Sequence, residues 1–267
     1  MKKIFTIIAL VATVLASCGK DEDNNDNGRS LAQQLQGKWM DAEHNGQPVP
    51  TNEKWVVTFT SDTTAIVSTS RADFTEESEM WDAYRTCGVS IDGDKVTLSY
   101  EPNKRLRVVF EYDVDTVTSS EFKAHSVQRI YRDNEVVASR EMDARYEKVP
   151  ADYRQDIIGV WEGRVTSEGS DHDDDELHRW EYREDATYGY YDLVDGQWQL
   201  HENVFNEYFV DGVLLCTRWK DTGENDVELR EWWEIASIEN GQMNWTALRH
   251  REDGSAYIAT FSMTKIQ

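Results

Sequence analysis

Prolines are scarce in this chain of 267 residues: four in all, and none after Pro150. Strands can therefore run long without losing ladder donors. Basic charge is short too, with 28 Lys plus Arg against 51 Asp plus Glu and a net charge of −23. Nucleic acid is excluded as a partner, because phosphate binding needs a basic face that releases counterions. No apolar run approaches the roughly 20 residues that a spanning helix needs. Catalytic signatures are missing as well: there is no Gly-x-Ser-x-Gly, no His-Glu-x-x-His and no phosphate-cradling glycine-rich loop. The six histidines, His44, His125, His172, His178, His201 and His250, form no shared pattern, and nothing singles out two carboxylates as an acid/base pair. The expectation is a non-catalytic protein.

The chain has 39% hydrophobic and 11% aromatic residues, enough apolar mass for a packed core. Met1-Lys2-Lys3 followed by the apolar run Ile4 to Ala16 reads as a secretory signal. The run ends Leu15-Ala16-Ser17-Cys18, which resembles the lipobox of bacterial lipoproteins; the bland alternative is an ordinary signal peptide that happens to contain Cys18. The resemblance implies that residues 1–17 are removed, that Cys18 is acylated, and that the protein is anchored to a membrane by lipid. Residues 18–29 are polar and acidic, the composition of a flexible tether. Within them Lys20-Asp21-Glu22-Asp23 resembles the export signal of surface lipoproteins of Bacteroidetes. An outer-membrane, cell-surface location is what that resemblance implies. An acidic body is repelled by anionic lipid and suits such a leash.

An internal repeat organises the remainder. Leu35-x-Gly37-x-Trp39 and Ile157-x-Gly159-x-Trp161 lie 122 positions apart. At a spacing of 121, Leu106, Val108, Tyr112, Val114, Val117, Phe122 and Val127 correspond to Val227, Leu229, Trp233, Ile235, Ile238, Met243 and Leu248. At 117, Tyr146 to Val149 correspond to Met263 to Ile266. Two homologous units follow, residues 30–149 and 150–267.

Both units read as strands. Leu106 to Val114, Trp55-Val57-Phe59, Val96-Leu98-Tyr100 and Met243-Trp245 alternate with the period of a half-buried strand. Six Asn-Gly or Asp-Gly pairs, opening at Asn45, Asp92, Asp195, Asp211, Asn240 and Asp253, supply hairpin turns. The fold class is all-β, up-and-down barrels or β-sandwiches. Helix is confined to Ser30 to Gly37, capped by its serine, and a similar short entry at Pro150 to Gln155. A short helix feeding a Gly-x-Trp strand at the start of a meander resembles the lipocalin-like domains of Bacteroidetes lipoproteins, two in tandem. That resemblance implies a basic residue from the last strand packed over the first-strand indole. Lys148 over Trp39 and Lys265 over Trp161 are the matching positions, with Lys where Arg is more usual.

Seven of the ten tryptophans fall in the second unit, mostly as core. Trp232 and Trp233 are adjacent, so a regular strand sends them to opposite faces, and Trp232 is the candidate exposed aromatic. Glu231 aligns with Phe110, which puts a carboxylate on the inward face; it is then paired, protonated or facing a wet cavity, unless a bulge turns it outward and Trp232 inward. Glu231, Trp232, Trp233 and Trp245 are the candidate ligand-binding residues. Asp171 to His178 is a solvated acidic loop by composition; it lacks calcium-loop and zinc spacing, and calcium is the best metal reading if one binds. No other cofactor is expected. Phe74, Trp81 and Tyr84 stand at near-helical spacing, either a lid over a barrel mouth or a surface loop. Cys87 and Cys216 read as packed, unpaired thiols, with a disulfide as the alternative. Two functions remain open: binding of a small apolar or amphipathic ligand, with an accessory-subunit role beside it, and a glycan- or protein-binding surface of exposed aromatics.

Overall fold

The computed structural model describes residues 28–70, 81–166, 176–222, 227–251 and 253–267. Residues 1–27, with the signal segment, Cys18 and all of the tether but its last two residues, as well as Phe74 and Asp171 to Asp175, lie outside the described residues.

The first unit opens with helix α1 (Leu31–Leu35), where Ser30 and Gln33 form a reciprocal capping box. Strands β1 (Gly37–His44), β2 (Gln47–Pro48), β3 (Trp55–Phe59), β4 (Thr64–Thr69), β5 (Asp82–Asp92), β6 (Lys95–Asn103), β7 (Leu106–Val117), β8 (Glu121–Arg132) and β9 (Glu135–Lys148) follow. Every neighbour pairs antiparallel and β9 returns to pair with β1, so eight strands close an up-and-down barrel with β2 as a short flap. The interior is aromatic: Trp55 stacks on Phe110 at 4.3 Å, and Phe122 on Tyr146 at 4.4 Å.

The second unit comprises β10 (Gly159–Val165), β11 (His178–Tyr182), β12 (Tyr188–Val194), β13 (Gln197–Leu200), β14 (Asn203–Asp211), β15 (Leu214–Asp221), β16 (Leu229–Glu239), β17 (Gln242–His250) and β18 (Ala256–Lys265). Its order is β13-β12-β11-β10-β18-β17-β16-β15-β14, a sheet curled into a half-barrel. In the first barrel, β4 gives its far edge to β5. Here β13 folds back and takes the far edge of β12 at Tyr191 to Val194. β14 therefore meets β12 near its start only, through the Thr187 to Glu207 bridge and the Tyr208 N to Ala186 O bond.

The repeat is visible in the ladders. Trp39 stands opposite Lys148, and Trp161 opposite Lys265. The β7 bulge between Val114 and Thr116 recurs in β16 between Ile235 and Ser237, the same 121 positions on. Gly37 and Gly159 hold φ of +110° and +134°, where a side chain is strained and a Cβ would strike the lysine above it. Lys148 Nζ lies 4.3 Å from the Trp39 ring centre and Lys265 Nζ 5.2 Å from that of Trp161. Each indole N–H donates to a carbonyl in the preceding turn, Leu35 O at 2.7 Å and Ile157 O at 2.6 Å.

Pro150 to Gln155 is not helical. A turn over Arg154 to Ile157 is all that forms, because Tyr153 N donates to Gly212 O of the β14–β15 hairpin and Asp152 is drawn to Lys38. Neither Trp81 nor Tyr84 caps a barrel mouth. Tyr84 lies on β5, both rings meet Phe209 edge-on, and Tyr84 Oη donates to Val210 O at 2.5 Å.

Those contacts belong to the seam between the units. Met40 and Val56 on the outside of the first barrel pack against Phe209, Leu214 and Cys216 of the second. Runs such as Trp55-Val56-Val57 and Leu214-Leu215-Cys216 are buried on both faces, which is why they break alternation. Asp211, 1% exposed, anchors the seam: it pairs with Lys38 and accepts from Ser68 Oγ at 2.6 Å.

Candidate functional site

The curl of the second sheet leaves a cavity of 380 Å³ in its interior. Three stretches with side chains alternating inward build its walls: His178, Trp180 and Tyr182 on β11, Tyr188 and Tyr190 on β12, Glu231 and Trp233 on β16. Trp245 and Phe261 close the floor, while Trp219, Thr217 and Asp221 come from β15. His201 and Asn203, where the chain leaves β13 for β14, border the unzipped side.

The aromatic faces are mutually fixed. Trp180 meets Trp245 edge-on at 5.4 Å, Trp233 tilts against Trp245 at 5.4 Å, and Phe261 meets Trp180 at 5.1 Å. Such locked rings form a rigid apolar wall that ligand can enter without reordering it.

Polar groups are set into that wall at few points. His178, 5% exposed, shares a 2.9 Å bond between Nδ1 and Tyr190 Oη. His201 Nδ1 lies 2.8 Å from Asp192 Oδ2. Arg249 Nη2 donates to Glu231 Oε1 at 3.0 Å, and its guanidinium lies 4.3 Å over the Trp233 ring. Tyr182 Oη, Trp233 Nε1 and Trp245 Nε1 are buried without a hydrogen-bond partner among the described residues. Burial pushes the phenols of Tyr182, Tyr188 and Tyr190 up, the last to about 12, and the charge of Glu231 adds to each. All three remain O–H donors at neutral pH.

Of the four residues singled out as ligand contacts, the structure brings Glu231, Trp233 and Trp245 to this cavity. The β16 bulge falls beyond them, after Ile235, so Glu231 keeps its inward place. Trp232 does not join them. It faces the first barrel, half-buried, with Nε1 donating to Ser70 Oγ at 3.1 Å and Ser70 O at 3.3 Å. The covering barrel removes the exposed platform expected of it. At the equivalent of Glu231, the first barrel holds Phe110, 4% exposed, stacked on Trp55.

Sequence reasoning missed Trp180, Tyr182, Tyr188, Tyr190 and His178 as wall residues. The signal was present, since His178, Trp180 and Tyr182 alternate, but the acidic run just before them favours a loop reading. Of the described residues of that segment, Glu176 and His178 line the cavity. Among the described residues no group of three His, Cys, Asp or Glu side chains is placed to hold a metal. Cys87 and Cys216 are buried free thiols. No helix among the described residues is long and apolar enough to cross a membrane. Neither a protein-family model nor a curated protein sequence matches the chain.

Proposed function

We propose that the protein is a non-catalytic, lipid-anchored binding protein whose second barrel is a chamber for one small amphipathic molecule. The observation that carries this reading is the 380 Å³ cavity: its size suits a compact ligand, and its walls are rigid aromatic faces interrupted by a few convergent polar groups. The barrel shape and the Lys-over-indole closure support a lipocalin-like ancestry for both units. In this reading Cys18 carries the lipid, residues 18–29 are the tether, and the protein stands on the outer membrane facing outward. The first barrel, with Phe110 in place of Glu231, is the scaffold against which the chamber is mounted.

The rival reading, a glycan- or protein-binding face of exposed aromatics, loses its leading residue because Trp232 is spent on the seam. The test is native mass spectrometry of the purified protein, expressed in a related host and freed of detergent. A reproducible added mass that vanishes on denaturation is expected and names the cargo. A bare polypeptide mass, with no tryptophan quenching by any small-molecule extract of that host, would sink the chamber reading.

A further inference from the structure

We infer that the chamber selects a small organic cation, an amine or quaternary ammonium, whose charge sits among the indole faces beside Glu231. This rests on the chamber reading above and narrows its ligand class.

Among the described residues the lining includes three carboxylates, Glu231, Glu176 and Asp221, and no lysine or arginine. Glu176 and Asp221 are exposed, where water screens them, so the selection rests on Glu231, which is 26% exposed and bonded to Arg249. An anion entering there meets a carboxylate, and the guanidinium beside it is already paired. The chain as a whole, at −23, repels anions on approach and draws cations in.

The walls favour the same class. A cation over an indole is attracted by the ring quadrupole, and the attraction grows when both are desolvated. Trp180, Trp233 and Trp245 supply three such rings around one cavity. The barrel already makes this interaction with its own side chain: Arg249 lies 4.3 Å over Trp233 while bonding Glu231 at 3.0 Å. The indole and the carboxylate thus form a built half-site for a cation. A ligand ammonium competes with the guanidinium for it.

Three probes with one phenyl skeleton test the inference: phenethylamine, 2-phenylethanol and 3-phenylpropionate, titrated at neutral pH into the purified full-length protein by calorimetry and tryptophan quenching. Phenethylamine is expected to bind about ten-fold more tightly than 2-phenylethanol, and 3-phenylpropionate more weakly than either. Arg249→Gln removes the internal competitor and should strengthen phenethylamine binding, whereas Glu231→Gln should bring it down to the level of the alcohol. Should Glu231→Gln fail to fold with Arg249 left behind, the double variant Glu231→Gln/Arg249→Gln gives the same readout. Equal affinity for ammonium and alcohol, or preference for the propionate, would overturn the cation inference and leave the chamber standing. Binding of none of the three would overturn the chamber as well.

Discussion

Phe110 and Glu231 occupy the same inward position on equivalent strands, each the same distance before a bulge that recurs in both barrels. In one barrel the position completes an aromatic stack; in the other it turns a carboxylate toward a hollow. This one difference separates a filled interior from a hollow one at the same strand position.

The two positions should respond differently to truncation. Phe110→Ala removes a buried ring from against Trp55 and is expected to cost about 3–5 kcal/mol. Glu231→Ala leaves Arg249, which is 24% exposed and lies over an indole, so water compensates part of the loss. Its cost should stay near about 1–2 kcal/mol. Urea midpoints of the two variants decide the matter: a Glu231→Ala loss as large as that of Phe110→Ala would make Glu231 a structural residue first.

Asp211 should be the most sensitive polar residue of the seam. Its carboxylate is shared by Lys38 and Ser68, with Arg154 Nη2 3.6 Å away. Asp211→Ala leaves Ser68 without its acceptor, while Lys38 keeps Asp152 at 2.7 Å. The expected loss is about 1–3 kcal/mol, with the barrels melting at more separated temperatures by scanning calorimetry. An unchanged endotherm would show that the apolar part of the seam holds alone.

Much of the fold was legible because its rules are local. Alternation placed β3, β6, β7 and β17, and the turn pairs at Asn45-Gly46, Asp195-Gly196 and Asn240-Gly241 adopt positive φ at both residues. The hairpin between β8 and β9 escaped notice because Asp133 and Asn134 make the same turn without glycine. What stayed hidden was tertiary. Nothing local tells Trp232 that another barrel will cover it, nor that Tyr153 N will be taken by Gly212 O in place of a helix. The continuous apolar runs of β3 and β15 were the available hint of a seam. Of the candidate site, Glu231 and Trp233 followed from parity on one strand; the wall from β11 and β12 did not, because its alternation begins straight after a run of acidic residues.

The Gly-x-Trp glycines should differ from each other. A Cβ on Gly37 would stand 2.8 Å from Lys148 Nζ, the movable end of a side chain. A Cβ on Gly159 would stand 2.5 Å from Gln267 O as well as 2.5 Å from Lys265 Cε. Backbone cannot step aside so easily. Gly159→Ala is expected to cost at least about 2 kcal/mol, more than Gly37→Ala, whereas Lys265→Met, which loses only the cation over Trp161, should cost about 0.5–1 kcal/mol. Chemical denaturation of the three variants tests the order; parity between Gly37→Ala and Gly159→Ala would mean that φ strain alone sets the cost.

Stability should fall on the alkaline side. Burial pushes the Cys87 thiol up to about 12, the charge of Asp82 adding to it, and pushes Tyr84, Tyr190 and Tyr208 to about 12. The unfolded chain releases these protons at about pH 8.5 for Cys and about pH 10 for Tyr. Between those values and pH 12 the unfolded state has lost protons that the folded state still holds, so unfolding gains free energy as pH rises. The contribution is intact below about pH 8.5 and drains away above it. Urea midpoints should therefore be level from neutrality to about pH 8.5 and decline steadily beyond. The same burial makes both thiols slow nucleophiles, Cys216 being raised further still by complete desolvation. At about pH 8 a thiol-specific aromatic disulfide reagent should label neither Cys87 nor Cys216 until denaturant is added. Prompt labelling of Cys216 in the native protein would show that the seam over β15 opens readily, since that thiol lies beneath it.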